Sequence, residues 1–273
     1  MSETLTTENG RTVLRMERSL RHPREKVWRA LTDPAELVHW FPATMELDLR
    51  LDGRIAFTFP GGEDDFVEDP DNAGVIRAYD PPRLLEFTWG DEIQRWELAP
   101  TADGCVLTLT ATYDDHAGSA SFTSGWTLCL DALDKLLGGN EVHREHYSVL
   151  HEHYVQVYGL DHGEVVADGI RYERQLVQPR EAVWARLTGA AEVREGELPP
   201  AGFVAKGIDP GPVGQAIEAE LLVYPWQHGL VTWKLRDGNG GARLVLTQTG
   251  PAEEFLTAWR DVVETLSAEL LTQ

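Results

Sequence analysis

Four histidines, His143, His146, His151 and His153, fall within one stretch that reads as helical. Metal binding needs ligands on a shared face, and His143, His146 and His153 have the spacing to lie along one stripe. No cysteine or carboxylate motif accompanies them and the zincin pattern is absent, so a solvated helix face is the stronger reading and no metal is expected. Residues 61–72 carry Asp64, Asp65, Glu68, Asp69 and Asp71, enough charge to attract calcium but without the spacing of an EF-hand. They read as a solvated hairpin tip. Cys105 and Cys129 stand in apolar runs, where a free thiol packs as a small hydrophobe. Neither has the Cys-x-x-Cys context that activates a thiol. There is no Gly-x-Ser-x-Gly elbow and no phosphate-cradling glycine loop, so no catalytic residue and no cofactor are expected.

What the side chains do offer is apolar binding. Ile55, Phe57 and Phe59 alternate along one strand-like run, Leu85, Phe87 and Trp89 along a second, and Trp96 with Leu98 along a third. A helical stripe of Trp126, Leu130 and Leu133 can oppose them, and Trp40 with Phe41 precedes the first run near the mouth of any cavity. These rings could surround an apolar small molecule; equally, rings at such spacing can simply fill a core.

The elements that would position them recur within the chain. HPREKVWRALT at 22–32 returns as QPREAVWARLT at 178–188, seven of eleven positions being identical. GVIRAY, ending at Tyr79, answers EAELLVY, ending at Tyr224; LLEFTW at 84–89 answers GLVTWK at 229–234; and residues 103–113 answer 240–250. The closing helix at 122–137 answers 255–270, with Trp126 matching Trp259. The first copy reads as a strand at 12–20, a short helix entered through Pro23, an antiparallel meander from 43 to 113 and a helix from 119 to 137. A second helical pattern covers 141–158, with Tyr147, Leu150, Tyr154 and Val157 on one face. The second copy lacks the segment after Thr188 that would supply a Trp-Phe pair and the following hairpin, so its cavity should be smaller, collapsed or open. The division expected is 1–137 for the first domain, 138–162 for a helical connector and 163–273 for a shortened second domain.

The formal net charge of −21 repels phosphate backbones and anionic head groups, which argues against nucleic acid as a partner. No apolar run is long enough to cross a bilayer, and the first twenty residues lack the apolar core of a secretory signal. A cytoplasmic monomer is expected, its two copies packing as a pseudo-dimer within one chain.

HPREKVWRALTDPAELVHWF, AYDPPRLLEFTW and GWTLCLDAL carry a resemblance to a known family. With their proline-anchored first helix, Asp-Pro-Pro turn and Gly-Trp helix opening, they resemble the activator of heat-shock-chaperone ATPase homologue branch of the SRPBCC, or START-like, superfamily. The resemblance covers residues 11–137; the second copy shares PREAVWARLT, GARLVLTQTG and the Trp259 helix. It implies an α+β fold of two tandem helix-grip domains, birch-pollen-allergen-like, each a curved antiparallel sheet wrapped around a long carboxy-terminal helix. It also implies a non-catalytic protein that encloses an apolar small molecule or docks on a protein partner as a co-chaperone does. Some START-like proteins are cyclases or hydrolases, which would make Arg77, Glu86, Arg95, Tyr113 and His116 the participants.

Overall fold

A computed structural model of the chain describes residues 2–59, 73–140, 146–189 and 191–272. The acidic run at 61–72 and His143 lie outside the described residues. The chain divides into two compact units, residues 1–116 with 125–145 and residues 117–124 with 146–273.

The first unit is built on an eight-stranded antiparallel sheet in the order β1-β2-β8-β7-β6-β5-β4-β3. β1 (Ser2–Glu8) and β2 (Arg11–Leu20) form a hairpin that the sequence reading did not anticipate. Its signal was the dipeptide Asn9-Gly10: both residues have positive φ, 51° and 81°, the backbone that a tight two-residue turn between right-twisted strands requires. α1 (Arg24–Thr32) buries Val27, Ala30 and Leu31, and α2 (Pro34–Leu37) is capped by the Asp33 carboxylate, which accepts from the Ala35 N–H at 2.9 Å. β3 (Thr44–Leu47), β4 (Arg54–Thr58), β5 (Ala73–Asp80), β6 (Leu84–Trp89), β7 (Glu92–Thr101) and β8 (Gly104–Tyr113) complete the sheet. Alternate residues of each strand turn inward, so β7 buries Gln94, Trp96 and Leu98 while Arg95 and Glu97 face the other way. α3 (Ser119–Gly138) brings Trp126, Leu130, Leu133 and Leu137 into the buried interior of this unit. Lys26 Nζ donates to the Leu137 carbonyl at 2.6 Å, tying α1 to the end of α3.

The second unit holds a six-stranded antiparallel sheet in the order β11-β12-β13-β14-β10-β9. Its strands are β9 (Glu164–Val166), β10 (Gly169–Gln175), β11 (Gln215–Ile217), β12 (Leu221–Trp226), β13 (Gly229–Gly238) and β14 (Gly241–Thr249). α4 (Tyr147–Tyr158), inside the segment read as a connector, is grouped with this unit, as is the first turn of α3. Tyr154 and Val155 of α4 pack with Ala120, whereas Val157, expected on the same face, is 57% exposed. α5 (Arg180–Thr188) and α6 (Glu253–Leu270) bury Trp184 and Trp259 in the core. Trp28, at the matching place in α1, is only half-buried and rests on Tyr79 with ring centroids 6.0 Å apart.

Strand pairing corrects the internal match drawn from sequence. In β6 and β7, Leu84 faces Glu97 and Trp89 faces Glu92; in β12 and β13, Leu221 faces Lys234 and Trp226 faces Gly229. LLEFTW therefore answers LLVYPW at 221–226, and GLVTWK answers the start of β7. Trp89 and Trp226 stand 137 residues apart, as do Trp96 and Trp233. The sequence match was one strand out because neighbouring strands share the same two-residue alternation, which by itself does not say which strand is which.

Candidate ligand-binding interior of the first unit

The aromatic residues singled out from the sequence come together inside the first unit. Phe57 of β4 stacks on Trp89 of β6 with centroids 4.6 Å apart. Phe41 is central, with Phe57 at 6.3 Å, Trp89 at 5.5 Å, Trp96 at 6.0 Å and Trp126 at 5.8 Å. Phe87 meets Trp96 edge-on at 5.1 Å, and Trp96 meets Trp126 edge-on at 6.2 Å. Edge-on and offset contacts at these separations suit the ring quadrupoles. Leu130 is buried one turn further along α3.

Trp40 and Phe41, expected near a mouth, are buried. The loop that carries them folds inward because Trp40 Nε1 donates to the Ala30 carbonyl at 2.9 Å. At β4 and β6, Phe59 is 39% exposed and stacks on half-buried Trp89 at 5.7 Å.

Polar groups line the same inward face. Gln94 lies between Phe87 and Ala111 of the flanking strands and is fully buried. Its Nε2 donates to Glu92 Oε2 at 3.1 Å. Burial pushes the Glu92 carboxyl up to about 7, outweighing the Gln94 hydrogen bond and Arg11, which pull it down; Asp115 adds to the rise. Gln94 and Glu92 were missed in the sequence, although Gln94 continues the alternation of Trp96 and Leu98.

The possible catalytic participants do not converge. Arg95 bonds Glu86 at 2.8 Å and Glu97 at 2.9 Å on the outward face, with Arg77 3.7 Å from Glu86. The Arg95 hydrogen bond holds Glu97 below its ordinary range. Tyr113 is buried on the inward face, and His116 Nδ1 lies 3.3 Å from Thr12 Oγ1. These are an ion-pair lattice on one side of the sheet and two interior-edge residues on the other. Among the described histidines, His146 and His153 are exposed and His151 is buried. No group of three or more His, Cys, Asp or Glu side chains is gathered for a metal ion among the described residues.

The fold and this interior meet the comparison with known proteins. Residues 21–138 match the family described as "Activator of Hsp90 ATPase homolog 1-like protein". This segment is an Activator of Hsp90 ATPase homolog 1-like domain. Of this activator-homologue domain, the match takes in α1, the meander and α3, hence every Phe and Trp ring of this interior. The structure of a conserved protein of unknown function from Enterococcus faecalis, EF2215, is similar at 20% identity, covering 57% of this chain and 90% of that one, with a TM-score of 0.50. CalU16 from Micromonospora echinospora is 20% identical, covering 58% of this chain and 94% of its own, with a TM-score of 0.42. At such identities likeness concerns the fold alone, an α+β helix-grip architecture. No curated protein matches the chain. No helix among the described residues is long and apolar enough to cross a membrane.

The second unit has a different interior. Phe203, in the turn Ala201–Phe203, packs edge-on against Trp233 at 5.4 Å, and its carbonyl accepts from Trp233 Nε1 at 3.1 Å and Tyr224 OH at 2.6 Å. A groove of about 900 Å³ runs beside α6, lined by Leu187, Gly202, Phe255, Ala258 and Val262.

Proposed function

We propose that the activator-homologue domain binds an apolar small molecule, which enters past Phe59 and Trp89 and lodges among Phe41, Phe57, Trp96 and Trp126. The observation that carries this reading is the continuous chain of rings from exposed Phe59 through half-buried Trp89 to buried Trp126. Each Å² of apolar surface that a ligand withdraws from water contributes about 25 cal/mol, and exchanging ring contacts for ligand contacts costs little where the partners are equally apolar. The protein on this reading is a binding protein of the cytoplasm, without a reaction of its own, and monomeric. Its second unit is a diverged copy of the same domain joined through residues 138–162. The family description carries the alternative of docking on a chaperone-type protein, which affinity capture by the purified chain would reveal.

Titration with the apolar fluorophore N-phenyl-1-naphthylamine tests the site. Trp126→Ala should weaken binding while Trp259→Ala leaves it unchanged, both variants being checked for folding by circular dichroism. Equal weakening, or a larger effect of Trp259→Ala, overturns the assignment to the first unit.

A further inference from the structure

We propose that Gln94 and Trp96 are the polar anchor of this interior, and that the ligand they select is a neutral, largely apolar molecule bearing a hydroxyl or a carboxamide. The inference rests on the reading that the first unit encloses an apolar ligand, and it adds which polar group that ligand carries.

Gln94 and Trp96 are successive inward residues of β7, their Cα atoms about 7 Å apart, and they are 0% and 1% exposed. Gln94 Oε1 and Trp96 Nε1 have no hydrogen-bond partner among the described residues. Leaving a buried donor or acceptor unmade is costly, and folded proteins rarely tolerate it without a reason. The flanking side chains give no relief: Phe87 and Ala111 stand beside Gln94, Leu85 and Leu109 beside Trp96. Glu92 fixes which way the amide points, because its carboxylate takes the Gln94 N–H and so leaves the carbonyl end as the spare group.

The second unit shows how the same positions look when they are closed. Trp233, at the place of Trp96, donates to the Phe203 carbonyl at 3.1 Å. Val231 takes the place of Gln94, and the glutamine has moved to the facing strand as Gln248, paired with Val231 where the first unit pairs Ala111 with Gln94. Gln248 Oε1 accepts from Trp259 Nε1 at 2.5 Å, and its Nε2 donates to the Pro251 carbonyl at 2.6 Å. One unit satisfies its buried indole and amide internally; the other keeps one acceptor and one donor on a single face, directed by Glu92.

The chemistry of those two atoms selects the ligand. Gln94 Oε1 requires a donor and Trp96 Nε1 an acceptor, and a hydroxyl or a carboxamide supplies both. A carboxylate or phosphate has no proton for Gln94 and would stand near the Glu92 carboxyl. An ammonium cannot accept from the indole. The surrounding rings exclude a strongly hydrated molecule.

Full-length chain labelled with ¹⁵N at tryptophan would be titrated with 1-naphthol, naphthalene and 1-naphthoate, following the Trp96 indole N–H resonance, assigned by its absence in Trp96→Phe. Expected is a shift of that resonance with 1-naphthol and an affinity about tenfold above that for naphthalene, equivalent to about 1.4 kcal/mol. 1-Naphthoate should bind more weakly than 1-naphthol. Gln94→Leu should abolish the preference for 1-naphthol over naphthalene. Equal affinities of 1-naphthol and naphthalene for the unaltered chain overturn the anchor while the apolar-ligand reading stands. Binding of neither overturns both. A Trp96 resonance that cross-relaxes with water and does not respond to 1-naphthol also overturns the anchor, since a water then completes it. The comparison of the three probes needs no variant, so a misfolded Gln94→Leu would not blunt the test.

Discussion

Replacing Glu92 by Gln should make the first unit more stable at high pH and nearly indifferent at low pH. Glu92 opens β7 half-buried, receives the Gln94 amide, and shares its surroundings with Arg11 and Asp115. Burial raises its carboxyl from 4.5 to about 7. In the unfolded chain the carboxyl ionises near its ordinary value. Between that value and about 7 the folded protein therefore holds a proton that the unfolded chain has released. The stabilisation is fully present below the unfolded pKa and is lost as pH rises through the folded one. Raising a carboxyl from 4.5 to about 7 corresponds to about 3 kcal/mol. Glutamine keeps the shape and cannot ionise. The stability of Glu92→Gln relative to the unaltered chain should thus be near zero at about pH 5 and climb towards about 3 kcal/mol by about pH 8. Urea unfolding across that range, read from the Trp96 indole N–H so that it reports the first unit, measures the difference. A difference independent of pH, or a Glu92 carboxyl carbon that titrates at its ordinary value in nuclear magnetic resonance, refutes the reasoning.

The two repeated tryptophans should part company under mutation. Trp184→Ala empties a buried site against Phe203 and should cost about 3–5 kcal/mol, whereas Trp28→Ala removes a half-buried ring and should cost clearly less, both by urea unfolding. In the second unit, Arg174 is fully buried and bonds Glu152 at 2.6 Å and Glu264 at 3.1 Å, while Tyr172 OH also donates to Glu264 at 3.0 Å. Arg174→Met should cost about 3–5 kcal/mol because two carboxylates lose their counter-charge, and restoring much of that by adding Glu152→Gln and Glu264→Gln, in the same unfolding assay, would identify the uncompensated charge as the cause.

How far the sequence reaches is set by what each pattern constrains. Pro23 before α1 and the three-to-four-residue stripe of Trp126, Leu130 and Leu133 each have one structural solution, and both elements stand where they were expected. The inward rings of β4, β6 and β7 were legible for the same reason, since alternation assigns a face once a strand is known. β1 escaped because Leu5 is its single large apolar side chain, and only Asn9-Gly10 announces the hairpin. Gln94 escaped for a deeper reason. A glutamine within a strand has the same appearance whether it faces water, pairs internally as Gln248 does, or waits for a partner, and alternation fixes only its direction. The distinction lies in the neighbours: Ala111 opposite Gln94 offers no hydrogen bond, while Trp259 reaches Gln248 from a helix far along the chain. Trp126 occupies the corresponding place on α3, yet its ring is engaged with Phe41 and Trp96, and the amide that would answer it sits on the other strand. Moving one glutamine across a strand pair thus changes a closed core into one with a polar group to offer, at no change in composition.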